Sequence, residues 1–140
     1  MAANAVVERY DQLRGATAGG GHDLEKRATE VLARADDDPA AGEVLDEVVR
    51  HLGVGVANLV NVFSPRRVVI GGWLGRQLAE LRMPQIHRAA AANALRTPFS
   101  SVELLRAELG TDAVALGAAT LPMGRFLSSG GQRNAVPSGR

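Results

Sequence analysis

The residues Ile70-Gly71-Gly72-Trp73-Leu74-Gly75 are the one place in this chain where a ligand site can be argued from residue type and spacing. Glycines after a buried strand let the backbone come close to a phosphate, and the N-terminus of a following helix offers amide hydrogens and a favourable dipole. The same pair has a plainer reading, a tight strand-to-helix turn that needs glycine for its backbone angles. Gly71, Gly72 and Trp73 are therefore the candidate ligand-binding residues, and no residue is singled out as catalytic or as a metal ligand. His22, His51 and His87 are scattered, without a carboxylate or second histidine at ligand spacing, and His51 reads as a packed or solvated mid-helix side chain. Asp36-Asp37-Asp38 lacks the Gly and Glu of a calcium loop and suits a solvated turn that caps a helix. Asp46 and Glu47 fall on a polar helix face, and Asp112 suits a helix start, where its charge is favourable. Asn58 and Asn61, three apart on an apolar helix, share a face and need hydrogen-bond partners if buried.

Behind these residues the apolar spacing predicts a short helix over residues 2–13, with Ala5, Val6 and Leu13 on its face and Val7 and Tyr10 between them. It ends at Gly15, and the three glycines Gly19, Gly20 and Gly21 make residues 15–22 a flexible loop. Asp23 starts a second helix carrying Leu24, Ala28, Val31 and Leu32 to about Arg34. Asp38 as cap and Pro39 as first helical residue open the longest helix, whose apolar stripe runs from Val44 through Leu45, Val49, Val56, Leu59 and Val60 to Phe63. Gly53 and Gly55 inside it each cost up to about 1 kcal/mol relative to Ala, which a close approach of another backbone would justify.

Pro65 stops that helix, and Arg67-Val68-Val69-Ile70, closed by Gly71-Gly72, has the pattern of a strand buried on both faces. A helix over about 77–95 follows, kinked or divided by Pro84. Residues 101–109 fit a strand, and Thr111 or Asp112 caps a last helix to about Leu127 with Pro122 in its middle. The Gly-, Ser- and Pro-rich tail from Ser128 is expected to be disordered. Two strands are too few for a stable sheet, so the expectation is an α/β unit, mostly helical, that lies beside more sheet from upstream sequence or a partner chain.

At 140 residues the chain is one domain by length, and 46% hydrophobic with 22% charged residues is ordinary for a globular protein. Only 4% of residues are aromatic, too few for a base-stacking platform. The 16 basic residues, of which only Lys26 is a lysine, are interspersed with 15 acids to a net charge of +1 and form no nucleic-acid-binding stripe. No cysteine means no disulfide, thiolate zinc site or cysteine nucleophile. With no leader pattern and no long apolar run, the expectation is a cytoplasmic protein without membrane contact.

The segment Leu52-Gly53-Val54-Gly55-Val56-Ala57-Asn58-Leu59-Val60-Asn61-Val62-Phe63-Ser64-Pro65, followed by Arg67-Val68-Val69-Ile70-Gly71-Gly72, resembles the C-terminal helix-then-strand signature of ROK (repressor, open reading frame, kinase) proteins. A second block, Ala94-Leu95-Arg96-Thr97-Pro98-Phe99 with Gly110-Thr111-Asp112-Ala113-Val114-Ala115-Leu116-Gly117-Ala118-Ala119-Thr120-Leu121-Pro122, is similar to the closing region of actinobacterial regulators of that family. The resemblance implies a partial ribonuclease-H-like lobe of the actin, hexokinase and sugar-kinase fold over residues 1–127. It implies that the phosphate-binding turn, the catalytic aspartate, the sugar motif and the zinc-binding cysteines lie upstream, so this chain holds no cofactor and is no enzyme alone. In kinases of the family the nucleotide sits at the Gly71-Gly72 turn, with a smaller residue where this chain has Trp73, so here the turn is a vestigial nucleotide site. The implied function is the effector-sensing and dimerisation part of a sugar-responsive transcriptional regulator, with a sugar or sugar phosphate as effector, DNA bound through an N-terminal domain not in this chain, and a homodimer. A ROK-type ATP-dependent sugar kinase is the alternative, and a stand-alone interaction module a third reading.

Overall fold

Two aspartates begin two of the helices by the same device, a side-chain oxygen that takes an amide hydrogen the helix cannot pair internally. The protein is described by a computed structural model covering residues 2–15, 23–109 and 112–128. Helix α1 (Ala2–Leu13) is followed by α2 (Leu24–Ala33), where Asp23 accepts from the Lys26 amide at 3.1 Å. In α3 (Pro39–Phe63) Asp38 accepts from the Ala40 amide at 3.0 Å, with Pro39 in the first turn. Ser64, at φ 44°, ends α3 ahead of Pro65. Then come β1 (Arg67–Ile70), α4 (Gly72–Asn93), the short α5 (Arg96–Phe99), β2 (Glu103–Arg106) and α6 (Asp112–Ser128). Residues 16–22 of the expected loop, the Thr111 cap and the tail beyond Ser128 lie outside the described residues.

The chain divides into two compact units, residues 1–107 and 108–140. The second contains α6, with Pro122 inside it as expected. The first holds the core: Val6 and Val7 of α1, Val31 and Leu32 of α2, and Val44 and Leu45 of α3 are at most 5% exposed. The face of α1 is turned slightly from the expected one, since Ala3 is buried and Ala5 exposed. The α3 stripe holds through Val60, but Leu59 and Phe63 are exposed, Phe63 by 72%, because no described element of the first unit covers that side of the last two turns.

Helices α3 and α4 share the closest helix interface. A Cβ at Gly53 would lie 2.4 Å from Ala89 Cβ and 2.9 Å from both the Ala89 carbonyl carbon and the Ala90 amide nitrogen. Gly53 thus fulfils the close-approach expectation. Gly55 does not, as a Cβ there would meet nothing within 4 Å.

Strands β1 and β2 are parallel and in register from Arg67 opposite Glu103 to Ile70 opposite Arg106. Bonds from the Glu103 amide to Arg66 O (3.0 Å) and from the Ala107 amide to Ile70 O (2.9 Å) frame the ladder. Val68 and Leu104 face the helices, joining Val56, Val60 and Ala90 in a second small cluster, and Ile70 joins the main core. The expected burial of β1 on both faces is not met: Val69 is 59% exposed. Strand alternation sends Val69 to the opposite face, and no described element of the first unit packs there. Helix α4 starts at Gly72, earlier than the spacing suggests, and is broken by non-helical angles at Arg82 (φ −142°, ψ 27°), two residues before Pro84. No helix among the described residues is long and apolar enough to cross a membrane.

Candidate ligand groove at the glycine turn

Strand β1 ends on buried Ile70 and hands the chain to two glycines with different reasons for being glycine. Gly71 is extended (φ −132°, ψ −169°), and a Cβ there would sit 3.3 Å from Ala107 Cβ, tight against the turn after β2. Gly72 has φ 74°, the left-handed region that side chains disfavour, with open space where a Cβ would be. Backbone conformation requires glycine at 72, and close packing favours it at 71. One turn later a Cβ at Gly75 would be 3.2 Å from Ile70 Cγ2, which seats α4 closely on the end of the strand.

Here an open groove of about 460 Å3 runs between α3 and α4. Val48, His51 and Leu52 form one wall, Trp73, Leu74 and Leu78 the other, with the glycines between them. Trp73 is half-buried, packed on the edge of the main core. No side chain of α4 caps its own N-terminus, so its first-turn amides face outward unpaired by a cap. Among the described residues His51 is the only titratable one lining the groove, and no Arg, Lys, Asp or Glu of theirs does so. Such a lining can hold a partly apolar or planar group, but it supplies no acid–base pair for bond-breaking chemistry.

Gly71, Gly72 and Trp73 line this groove together with His51, which sequence reading left as an ordinary mid-helix residue. The signal was present: His51 lies three residues after Val48 and beside Leu52, on the flank of the stripe that faces α4. Of the other candidates, His22 lies outside the described residues and several are engaged in the scaffold. His87 packs its ring on Phe99 at 5.0 Å between centroids. Asp36 pairs with Arg82. Asp38, besides capping α3, accepts from the Tyr10 hydroxyl at 2.7 Å and Arg14 at 3.1 Å. The Tyr10 bond is the main cause that holds the Asp38 carboxyl below the usual aspartate value, with the Ala40 amide and Arg14 adding to it against a partial burial that opposes them. Glu47 is likewise lowered, chiefly by its bond from Arg9 at 2.8 Å. Asn61 accepts from the Leu95 amide at 2.8 Å and donates to Asn93 O at 3.4 Å, a structural clasp on the end of α4, while Asn58 is exposed. One buried acid was missed: Asp11, 3% exposed, accepts from Arg27 at 2.7 Å, and its Oδ2 has no hydrogen-bond partner among the described residues. Among the described residues no three His, Asp or Glu side chains gather as a metal site would require.

The sequence pattern of the ROK family matches residues 1–124. This chain belongs to the ROK family. A glucokinase of Halalkalibacterium halodurans is 35% identical over 91 residues, which are 64% of this ROK chain and 27% of that protein. The N-acetylglucosamine repressor of Escherichia coli O157:H7 is 32% identical over 72 residues, covering 51% of this chain and 18% of the repressor. The xylose repressor of Caldicellulosiruptor bescii is 30% identical over 82 residues, covering 59% and 20%. Among solved structures, a ROK family transcriptional regulator homologous to the E. coli MLC protein superposes with a TM-score of 0.58 at 23% identity, covering 74% of this chain and 27% of that one. The matched region is less than a third of the length of each relative. The mostly helical chain with its parallel strand pair is thus part of an α/β sugar-kinase-like fold.

Proposed function

We propose that this chain is the C-terminal effector-sensing and dimerisation part of a ROK-type transcriptional regulator that responds to a sugar or sugar phosphate. The observation that carries the reading is Trp73 in the groove wall at the glycine turn, where the resemblance to family kinases implies a smaller residue beside a nucleotide. An indole packed on the core there takes up the room of an adenosine, and no described residue lining the groove is a cation for phosphates. The repressors among its relatives support the same reading. In this reading Gly71, Gly72 and Trp73 are the remains of a nucleotide turn in a protein that senses its sugar without phosphorylating it. DNA is bound through a separate N-terminal domain, and the zinc site of the family lies upstream.

Titrating the full-length protein bound to its promoter DNA with glucose, N-acetylglucosamine, xylose and their phosphates tests the proposal. A change of at least tenfold in DNA affinity with one of them is expected. Indifference to the whole set would overturn it. The glucokinase at 35% identity supports a second reading, an ATP-dependent sugar kinase. ATP-dependent phosphorylation of a sugar by the full-length protein would decide for that reading.

A further inference from the structure

Two features of α3 are left over by the packing of this chain. The first is Gly55. Glycine inside a helix is unfavourable, and here no close contact accounts for it, since a Cβ would meet nothing within 4 Å. The second is an exposed apolar side. Val48, Leu52, Gly55, Leu59 and Val62 recur at alternating steps of four and three residues, which places them on one side of the helix as in a coiled-coil seam. The first two are partly buried on the main core, but Leu59 is 47% exposed, and Val62 and the adjoining Phe63 are each 72% exposed. From Leu52 to Pro65 there is no charged residue, a depletion that marks the centre of an interface and not a solvated face.

The two ends of this seam are unlike and complementary. At the N-terminal end Val48, His51 and Leu52 form one wall of the open groove of about 460 Å3 whose other wall holds Trp73. At the C-terminal end Phe63 stands out as a knob that no described element of the first unit covers. Gly55 lies midway, seven residues after Val48 and eight before Phe63. A two-fold axis at Gly55, with a second α3 running antiparallel, therefore brings the knob of each copy to the groove of the other, the self-complementary arrangement of a closed dimer. With no side chain at 55, the two helices cross closely there. A phenyl ring in each groove, together with Leu59, Val62 and the groove walls, covers on the order of 1,000 Å2 in total, the size at which specific interfaces begin. Charge favours the same orientation: Glu43, Asp46 and Glu47, against Arg50 alone, lie on the N-terminal half of α3, and Arg66 and Arg67 follow its C-terminus. Glu43 and Glu47 also hold Arg9, and Arg67 holds Glu103, so these charges steer the encounter more than they tie it.

We propose that a second copy of this chain docks on α3, antiparallel about Gly55, with Phe63 of each copy seated in the groove beside Trp73 of the other. This rests on the dimerisation part of the proposed function, for which it names the surface, and not on the sugar. The test uses the 140-residue chain carrying Val69→Lys, which removes pairing at the open edge of β1, and reads sedimentation and the fluorescence of Trp73, its one tryptophan. The chain should sediment as a dimer at high micromolar concentration, and the Trp73 emission should shift to the red on dilution as the phenyl ring leaves the groove. Gly55→Leu, which meets open space in the monomer, and Phe63→Lys, which changes an exposed side chain, should each raise the dimer dissociation constant at least tenfold. Both should hold the emission at its diluted position at every concentration, with helix content by circular dichroism unchanged. A chain that is monomeric throughout, a dimer indifferent to both substitutions, or an emission independent of dilution would overturn the proposal. If Gly55→Leu leaves the association of this chain intact and instead lowers the melting temperature of the full-length protein, another part of the same polypeptide covers the face and the proposal falls. If the dimer behaves as described while the full-length protein ignores every sugar, the surface stands and the sensing proposal fails.

Discussion

At Gly72 the backbone alone sets the residue. Its φ of 74° is left-handed, and a Cβ would meet no atom within 4 Å, so a substitution costs conformational strain and no clash. Gly72→Val is expected to destabilise by about 1–3 kcal/mol, read by urea unfolding. An unchanged midpoint would show that the turn relaxes to accept a side chain. Asp38 shows what charge does at the same scale. Its pKa is lower in the folded chain, first through the Tyr10 hydroxyl. A carboxylate so shifted stabilises the fold above its unfolded pKa, and the contribution is lost as pH falls through the folded value. Asp38→Asn should therefore melt below the parent at neutral pH, with the difference closing as the pH drops below the ordinary aspartate range. A gap that persists undiminished in acid would mean that the asparagine disturbs packing instead.

Between elements, the α3–α4 interface separates two glycines that look alike in the sequence. Gly53→Ala drives a methyl into Ala89 and into backbone that cannot swing away, so a loss of about 1–3 kcal/mol is expected. Adding Ala89→Gly should recover only part of it, because two of the three closest atoms belong to the main chain. Gly55→Ala, with open space around it, should stabilise the helix by about 0.5–1 kcal/mol. Thermal melts of the three variants check the set. The open side of β1 is the other feature of this scale. The carbonyls of Arg66 and Ile70 are taken by β2, so by alternation the backbone groups of Val69 face away from it, beside an exposed valine. Such an edge invites pairing. Val69→Lys should lower self-association of the 140-residue chain in sedimentation while changing its stability by less than about 0.5 kcal/mol. A monomer at every concentration before the substitution would remove the interaction-module reading.

For the whole molecule, the charge distribution excludes more than it assigns. Sixteen basic and 15 acidic residues, interspersed, give no field that would hold a polyanion. The 140-residue chain should therefore leave labelled duplex DNA unbound at micromolar concentration and about 0.15 M salt, as read by fluorescence anisotropy. It should also transfer no phosphate from ATP to any sugar, since none of the described residues lining its groove is a carboxylate that could act as base. Measurable binding or transfer by this chain alone would contradict the division of labour proposed for the longer protein.

Sequence alone determined the features whose causes are local. Asp23 and Asp38 bond amides two or three residues away, Pro39 and Pro65 bound α3, Gly71-Gly72 ends a β-branched run, and the two motif blocks mark the family. Each depends on neighbours a few residues off, so spacing reveals it. Tertiary structure alone decided that Val69, Leu59 and Phe63 are exposed, that Gly53 is crowded and Gly55 is not, and that Asp11 is buried against Arg27. It also decided that His51 and Trp73 line one groove. Those outcomes depend on which surface an element turns toward atoms far away in the chain, and apolar periodicity names a face without naming what covers it.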